Sequence, residues 1–344
     1  MKLADTAFYE TTRDWLTVHL PKHQRCSTNT IKSYKHTLNM FVDYLVDEKN
    51  IKIHKLSFTH FTADNIKDFL DWLQETRNVG ASTRNQRLMA LRAFAKYAAG
   101  RDAQNLFLQA ELANVPKQSH EKLVVKFLSE NELKALLATP DRNTKLGLRD
   151  SFLMSLMYDA GARLSEVLNL KSGNFELEQG EPFVYLNGKG NKTRTVPIMN
   201  KTVQIFRRYC REFNIVANNT DDYLFYTIIH GVRHQLSPDA VQSFMRKYSK
   251  IAKQTCPSMP DKLHPHQLRH TRAIHLYRGG VPLSLVAEFL GHAQISTAQI
   301  YAYADTEMKR EAIRKIDRSS ENTTEESAVW ENDREMIKRL YGML

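Results

Sequence analysis

Four short segments carry the side chains best suited to chemistry: Gly161-Ala162-Arg163-Leu164-Ser165-Glu166, Gly188-Lys189-Gly190-Asn191-Lys192, His264-Pro265-His266-Gln267-Leu268-Arg269-His270, and Leu290-Gly291-His292 followed by Gln299-Ile300-Tyr301. Arginines can hold an anion, lysine and histidine can move protons, and tyrosine can act as a nucleophile. Each group also has a plainer reading. Arg163 lies in an otherwise apolar helix, with Leu153, Met154, Leu156 and Met157 before it and Val167, Leu168 and Leu170 after. There it must face a functional cleft or pair with Glu166 one turn on, since burying it alone is costly. Lys189 could be an ordinary exposed lysine. His292 follows Gly291, the expected C′ residue of a helix begun at Pro282, and could be only a cation at that helix end. Tyr301 falls about one turn into a helix capped by Ser296, with Gln299 completing the capping box, a place that usually belongs to the core.

Several chemistries are excluded. His264, His266 and His270 have no Cys or carboxylate partner nearby, and Pro265 interrupts the first pair, so no metal site is expected. The GKGNK stretch lacks the Walker pattern, which removes P-loop nucleotide hydrolysis. No Gly-x-Ser-x-Gly or His-Glu-x-x-His occurs.

The elements that must position these groups are mainly α-helical, with one small β-hairpin. Ser27 or Thr28 can cap a helix whose Ile31, Tyr34, Leu38, Phe41 and Leu45 share one stripe. Thr62 starts another, with Ile66, Phe69, Leu70 and Leu73 inward, and Gly80-Ala81-Ser82-Thr83 opens a third with Leu88, Leu91, Ala95 and Ala98 inward. With a helix through Phe8, Trp15 and Leu16, residues 1–110 form a four- or five-helix bundle. Residues 111–126 read as a linker, polar and containing Pro116. Ser129 and Glu132 match a capping box, and Leu128 with Leu133 a hydrophobic staple, so a second domain, 127–316, starts there. Its hairpin pairs Pro182–Leu186 with Thr193–Ile198 around the glycine-rich turn. Helices resume from about Thr202 and again from Pro238 to Lys253. Residues 317–344 read as an acidic connector and an apolar helix, Ser327–Leu344, which must dock on its own body or on a neighbour.

The chain has 344 residues, enough for about two domains at ~150 residues each. Its formal charge is +11, and the residues from Asp317 onward are net acidic, so the positive excess sits in the body. That balance favours a polyanionic partner, nucleic acid first. Three scattered cysteines suggest a reducing compartment without disulfides. No apolar run of ~18 residues and no signal peptide occur, so a cytoplasmic, nucleoid-associated protein is expected.

Taken together and in order, the four segments resemble the tyrosine recombinase, or phage integrase, family. GARLSEVLNL resembles its first arginine box, the strand with GKGNKTRTVPI its catalytic-lysine hairpin, and HPHQLRHTRAIHL with FLGHAQISTAQIYAYA its second box. The interval from His292 to Tyr301 is also the family's. The resemblance covers roughly residues 1–316. It implies a helical core-binding (SAM-like) domain before an α-rich catalytic domain, and a site made of Arg163, Lys189, His266, Arg269, His292 and Tyr301. Tyr303 is the close rival nucleophile, standing where the family often has histidine.

The implied chemistry uses no metal or cofactor. Arg163 and Arg269 would hold the non-bridging oxygens of a phosphodiester, with His292 donating a further hydrogen bond. Tyr301, with a free pKa near ~10, would pass its proton to His266, and Lys189 would protonate the leaving 5′-oxygen. Glu166 reads as a buttress, and His264 and His270 as supports of the ligating groups. Lys32, Lys35, Arg84, Arg87 and Arg92 are candidate phosphate contacts from the first domain. The resemblance further implies double-stranded DNA carrying a specific site, a homotetramer on two such sites, and a second recombinase or accessory protein as a partner, without a membrane. The bundle starting near residue 1 leaves no room for a separate arm-binding domain. That favours a simple-site enzyme, and the extended tail, unlike a minimal Xer protein, points to the integrase or transposase of a mobile element. The alternatives are a Xer-type dimer resolvase, a catalytically idle DNA-binding module, a nicking topoisomerase, or a metal hydrolase that chelators would stop.

Overall fold

In a computed structural model, the structure describes residues 6–119, 125–177, 181–188, 192–215, 222–292, 294–304, 335 and 338. The chain divides into two units, Met1–Leu123 and Val124–Leu344.

The first unit is helical. Helix α1 (Ala7–Asp14) runs into a π-helical stretch, Trp15–His23, that contains Pro21. Proline offers no N–H, so the ordinary helical ladder cannot pass through it. Helices α2 (Thr28–Asp47), α3 (Ala63–Glu75), α4 (Ala81–Arg101) and α5 (Leu106–Asn114) follow. Ser27 caps α2 by accepting from the Thr30 amide, and Thr62 caps α3 through the Asn65 amide, as their sequence positions predict. Phe8, Phe41, Phe61 and Phe94 meet largely edge to face at the centre, and Trp15 stacks on Tyr34.

Helix α5 is a correction to the expected linker. Leu108, Leu112 and Val115, spaced four and three apart, bury a helical stripe against the bundle. The polar residues after them hid that period. The Arg92 guanidinium on α4 donates to the carbonyls of Leu112, Ala113 and Val115, satisfying the helix end.

The second unit opens with the expected capping box. Ser129 and Glu132 exchange hydrogen bonds of 2.7 and 3.3 Å at the start of α6 (Glu130–Ala138), with Leu128 and Leu133 buried behind them. Helix α7 (Lys145–Asp159) is nearly all core, and Phe152 packs on Phe206, Tyr209 and Phe225. The stretch expected as one helix through Arg163 is two. Gly161 takes φ +56°, which ends α7, and α8 (Leu164–Leu168) starts afresh with Arg163 as its N-cap.

A three-stranded antiparallel sheet follows: β1 (Phe175–Glu176), β2 (Phe183–Asn187) and β3 (Thr193–Pro197), in that order. Leu186 faces Arg194, and Val184 faces Val196. After α9 (Asn200–Glu212), a second hairpin pairs β4 (Tyr226–Ile229) with β5 (Val232–Gln235). Strand β1 and this hairpin were not expected. The hairpin buries little of its surface, so it lacks the strict inside–outside alternation that marks a half-buried strand. Helices α10 (Pro238–Thr255), α11 (Pro265–Arg278), α12 (Leu283–Leu290) and α13 (Gln299–Ala304) complete the unit. Ser296 lies in a 3₁₀ turn, Ile295–Thr297, and caps no helix. The connector and helix expected over 317–344 lie outside the described residues, except Glu335 and Lys338, both helical. No helix among the described residues is long and apolar enough to cross a membrane.

Gly161 supports a direct test. A Cβ there would stand 2.8 Å from Leu290 Cδ2, on a backbone that L side chains avoid. Gly161→Ala is expected to cost about 2–4 kcal/mol in denaturant unfolding, from left-handed strain plus overpacking.

Candidate active site

The site is built on chain breaks. Arg163 has extended backbone at the N-cap of α8, and Glu166, at the third helical position, reaches back to it. Glu166 accepts 2.8 Å bonds from the Arg163 amide and from its guanidinium. It accepts two more, at 2.9 and 2.8 Å, from Arg194 on β3. Arg194 also donates to the Phe289 carbonyl at the end of α12. One buried carboxylate thus joins the first arginine, the lysine hairpin and the approach to His292. Burial opposes its ionisation, but the Arg194 and Arg163 hydrogen bonds outweigh that and hold its pKa at about 2.

Arg269, on α11, is 4% exposed. It donates to the Gly161 carbonyl at 2.6 Å and the Leu290 carbonyl at 2.7 Å. Burial first, then the charge of Arg163, pulls its pKa down to about 10, so it stays charged at neutral pH. Gly291 ends α12 in the left-handed region, as expected, and the amides of Gly291 and His292 close a Schellman motif onto Glu288 and Ala287. This turn aims His292 across the site. Its ring lies nearly parallel to that of Tyr301, with centroids 6.3 Å apart, and its Nδ1 is buried without a partner. Burial, then Arg269 and Arg163, lowers the His292 pKa to about 4.

Tyr301 is 1% exposed, and its hydroxyl lies 3.1 Å from His270 Nδ1. Burial raises its pKa, while Arg269 and Arg163 pull it the other way. His266 keeps an exposed ring at the start of α11, and partial desolvation, then Arg269 and Arg163, lowers its pKa. His264 is the N-cap of α11, where its Nδ1 meets Gln242 Oε1 at 3.0 Å. Among the described residues, no three His, Cys, Asp or Glu side chains are grouped to hold a metal ion.

The structure therefore brings Arg163, His266, Arg269, His292 and Tyr301 together. Lys189 lies outside the described residues. The ends of its turn are joined by a 2.8 Å bond from the Gly188 amide to the Lys192 carbonyl, and Gly188 approaches Glu166 closely. Tyr303 lies on α13, and its side chain is outside the described residues. Sequence reasoning missed Arg194. Its signal was alternation, because Arg194 shares a strand face with Val196, where a solvent-facing residue would not be expected.

The first-domain candidates separate. Lys32 and Lys35 are exposed on α2. Arg84 is 5% exposed and donates to the Pro116 carbonyl, so its expected phosphate contact is corrected to an internal one. Arg92 is likewise occupied by the end of α5, and half-buried Arg87 donates to the Thr37 hydroxyl. Arg92→Ala is expected to lower unfolding stability by about 1.5–3 kcal/mol, through carbonyls left unsatisfied. Lys32→Ala and Lys35→Ala should leave stability unchanged and each reduce the salt slope of DNA binding by about 1.

Comparison with known proteins places this architecture. Residues 126–308 match the phage integrase family, and residues 15–105 match the phage integrase N-terminal SAM-like domain. The chain belongs to the phage integrase family, the tyrosine recombinases. It is 31% identical over 297 residues to a protein of Sinorhizobium fredii named integrase/recombinase y4rC, covering 86% of this chain and 87% of that one. It is 31% identical over 291 residues to tyrosine recombinase XerA of Pyrococcus horikoshii, covering 84% and 88%. In fold it is similar to XerH site-specific recombinase bound to palindromic difH substrate, with TM-score 0.63, 22% identity and 91% and 89% of the two chains covered. The Tn1549 transposon integrase in complex with right-end DNA gives TM-score 0.63 at 16% identity, covering 88% and 98%.

Proposed function

We propose that this recombinase breaks and rejoins DNA through a 3′-phosphotyrosyl bond formed by Tyr301. The observation that carries the reading is electrostatic. Three guanidiniums, from Arg163, Arg194 and Arg269, surround one carboxylate, so the site holds an unbalanced positive charge beside a buried tyrosine hydroxyl. A phosphodiester supplies the missing anion. Its negative charge grows on the non-bridging oxygens as Tyr301 attacks, and Arg163, Arg269 and His292 stand ready before that happens. Lys189 protonates the leaving 5′-oxygen. The phosphotyrosyl bond conserves the energy of the broken linkage, so a 5′-hydroxyl from a partner duplex reverses the step without a nucleotide cofactor.

Lys32 and Lys35 contribute phosphate contacts, and exchange between two duplexes requires an assembly, for which a homotetramer is our reading. The same chemistry serves the insertion of a mobile element and the resolution of dimers. The names of relatives and fold neighbours, a transposon integrase and Xer recombinases, support the shared step. The test is covalent trapping. Wild-type protein, in EDTA, is incubated with nicked duplexes bearing sites from DNA flanking the gene. An SDS-resistant protein–DNA band is expected. Site binding without a band would overturn the reading in favour of a DNA-binding module.

A further inference from the structure

The proton on Tyr301 must leave as its oxygen attacks, and the sequence pointed to His266 as its acceptor. The structure places a different group there. His270 Nδ1 is 3.1 Å from the Tyr301 hydroxyl. The other two histidines of the site are arranged differently. The His266 ring is exposed, and no hydrogen bond joins it to Tyr301 among the described residues. The His292 ring lies nearly parallel to the tyrosine ring with centroids 6.3 Å apart, and its buried Nδ1 makes no hydrogen bond to the hydroxyl. Water is a poor alternative, because Tyr301 is 1% exposed.

We propose that His270 is a catalytic residue that takes the Tyr301 proton. The inference rests on the phosphotyrosyl reading and deepens it. In the step, the Tyr301 O–H bond breaks and its proton passes to His270 Nδ1, while the oxygen's electron pair forms the new bond to phosphorus. The bond from phosphorus to the 5′-oxygen breaks, and that oxygen takes a proton from Lys189. Rejoining returns each proton to its donor.

Two features fit His270 to this work. Its neighbour in sequence is Arg269, so one turn of α11 holds both the phosphate-binding guanidinium and the base, fixing their spacing. The imidazole is also neutral at neutral pH, since burial first, then the charges of His266 and Arg269, brings its pKa to about 4. A neutral ring protonated on Nε2 offers Nδ1 as an acceptor. Around it stand Tyr301 on α13, His266 and Arg269 on α11, and His292 after α12. An anionic phosphate held by Arg269 offsets the positive field that opposes a proton on His270. The base therefore strengthens when DNA is bound and idles when it is not.

The experiment compares single-turnover cleavage of a nicked duplex by wild type, His270→Asn and His270→Leu, with site binding measured in parallel. Asparagine can accept a hydrogen bond but cannot carry the proton. Both variants are expected to bind DNA as wild type does and to cut about 10²–10⁴-fold more slowly. Introducing difluorotyrosine, a more acidic phenol, at position 301 should recover more of the rate in His270→Asn than it adds in wild type. Cleavage by His270→Asn within threefold of wild type would overturn the proposal and leave His270 as a hydrogen-bond support. A slow His270→Asn that gains nothing from the acidic phenol would overturn it as well. Failure of the wild type to form any adduct would instead remove the phosphotyrosyl reading beneath it.

Discussion

Tyr301→Phe is expected to abolish the covalent protein–DNA adduct while leaving site binding within a few-fold of wild type. The substitution removes one oxygen. The ring keeps its buried place between α11 and the His292 ring. The lost hydrogen bond to His270 costs about 1 kcal/mol, too little to unfold the unit. With no oxygen to attack phosphorus, the adduct cannot form. Tyr303→Phe is the necessary control, because the two tyrosines are only two positions apart. On a helix they point about 200° apart, so one phosphate cannot face both. Tyr303→Phe should keep its adduct. A band persisting in Tyr301→Phe and lost in Tyr303→Phe would exchange their roles. The measurement is the SDS-resistant band on a nicked duplex.

The second large effect belongs to Glu166. Its side chain is 3% exposed and forms ion pairs with two arginines at once. Glu166→Ala leaves Arg163 and Arg194 facing each other and Arg269 without a counter-charge. Removing one partner from such a group typically costs about 3–5 kcal/mol. Cleavage should fall with it, since Arg163 loses both of its bonds to Glu166 and keeps only a 3.4 Å bond to the Gly291 carbonyl. The pH dependence has a definite sign. The folded pKa of about 2 lies below the ordinary 4.5, so the stabilisation is full above pH 4.5 and is lost as pH falls toward 2. That window amounts to about 3 kcal/mol. Urea unfolding of wild type and Glu166→Gln at neutral and acid pH checks it. The gap between them should be widest at neutral pH and close on acidification. A gap constant down to pH 3 would mean that the carboxylate charge contributes nothing.

Much of this was legible in the residues. The helix starts at Ser27, Thr62 and Ser129 follow from side-chain chemistry local to a few residues, and the stripes of α2, α3 and α4 from simple periodicity. The left-handed turn at Gly291 was legible for the same reason. What escaped depended on contacts distant in sequence. Helix α5 is secured by Arg92, about twenty residues away, so its short apolar stripe reads as linker by itself. The break at Gly161 hides inside an apolar run because both flanking helices are buried. In the site, the types of the reacting residues could be read, but their pairing could not. Arg194 reaches Glu166 across 28 positions, and His270 reaches Tyr301 across 31. His266 and His270 are one helical turn apart, and nothing local tells which of them meets the hydroxyl.

Arg269 is gripped by main-chain oxygens, those of Gly161 and Leu290, and by no side chain of either residue. A carbonyl is common to all twenty residue types, so the grip depends on the route of the backbone and not on what decorates it. Mutational tolerance around this arginine should therefore be uneven. Neighbouring side chains are free to drift as long as the two left-handed glycine turns keep their course, and the two glycines are not. An enzyme anchored in this way can diversify the side chains around Arg269 without renegotiating the position of its guanidinium.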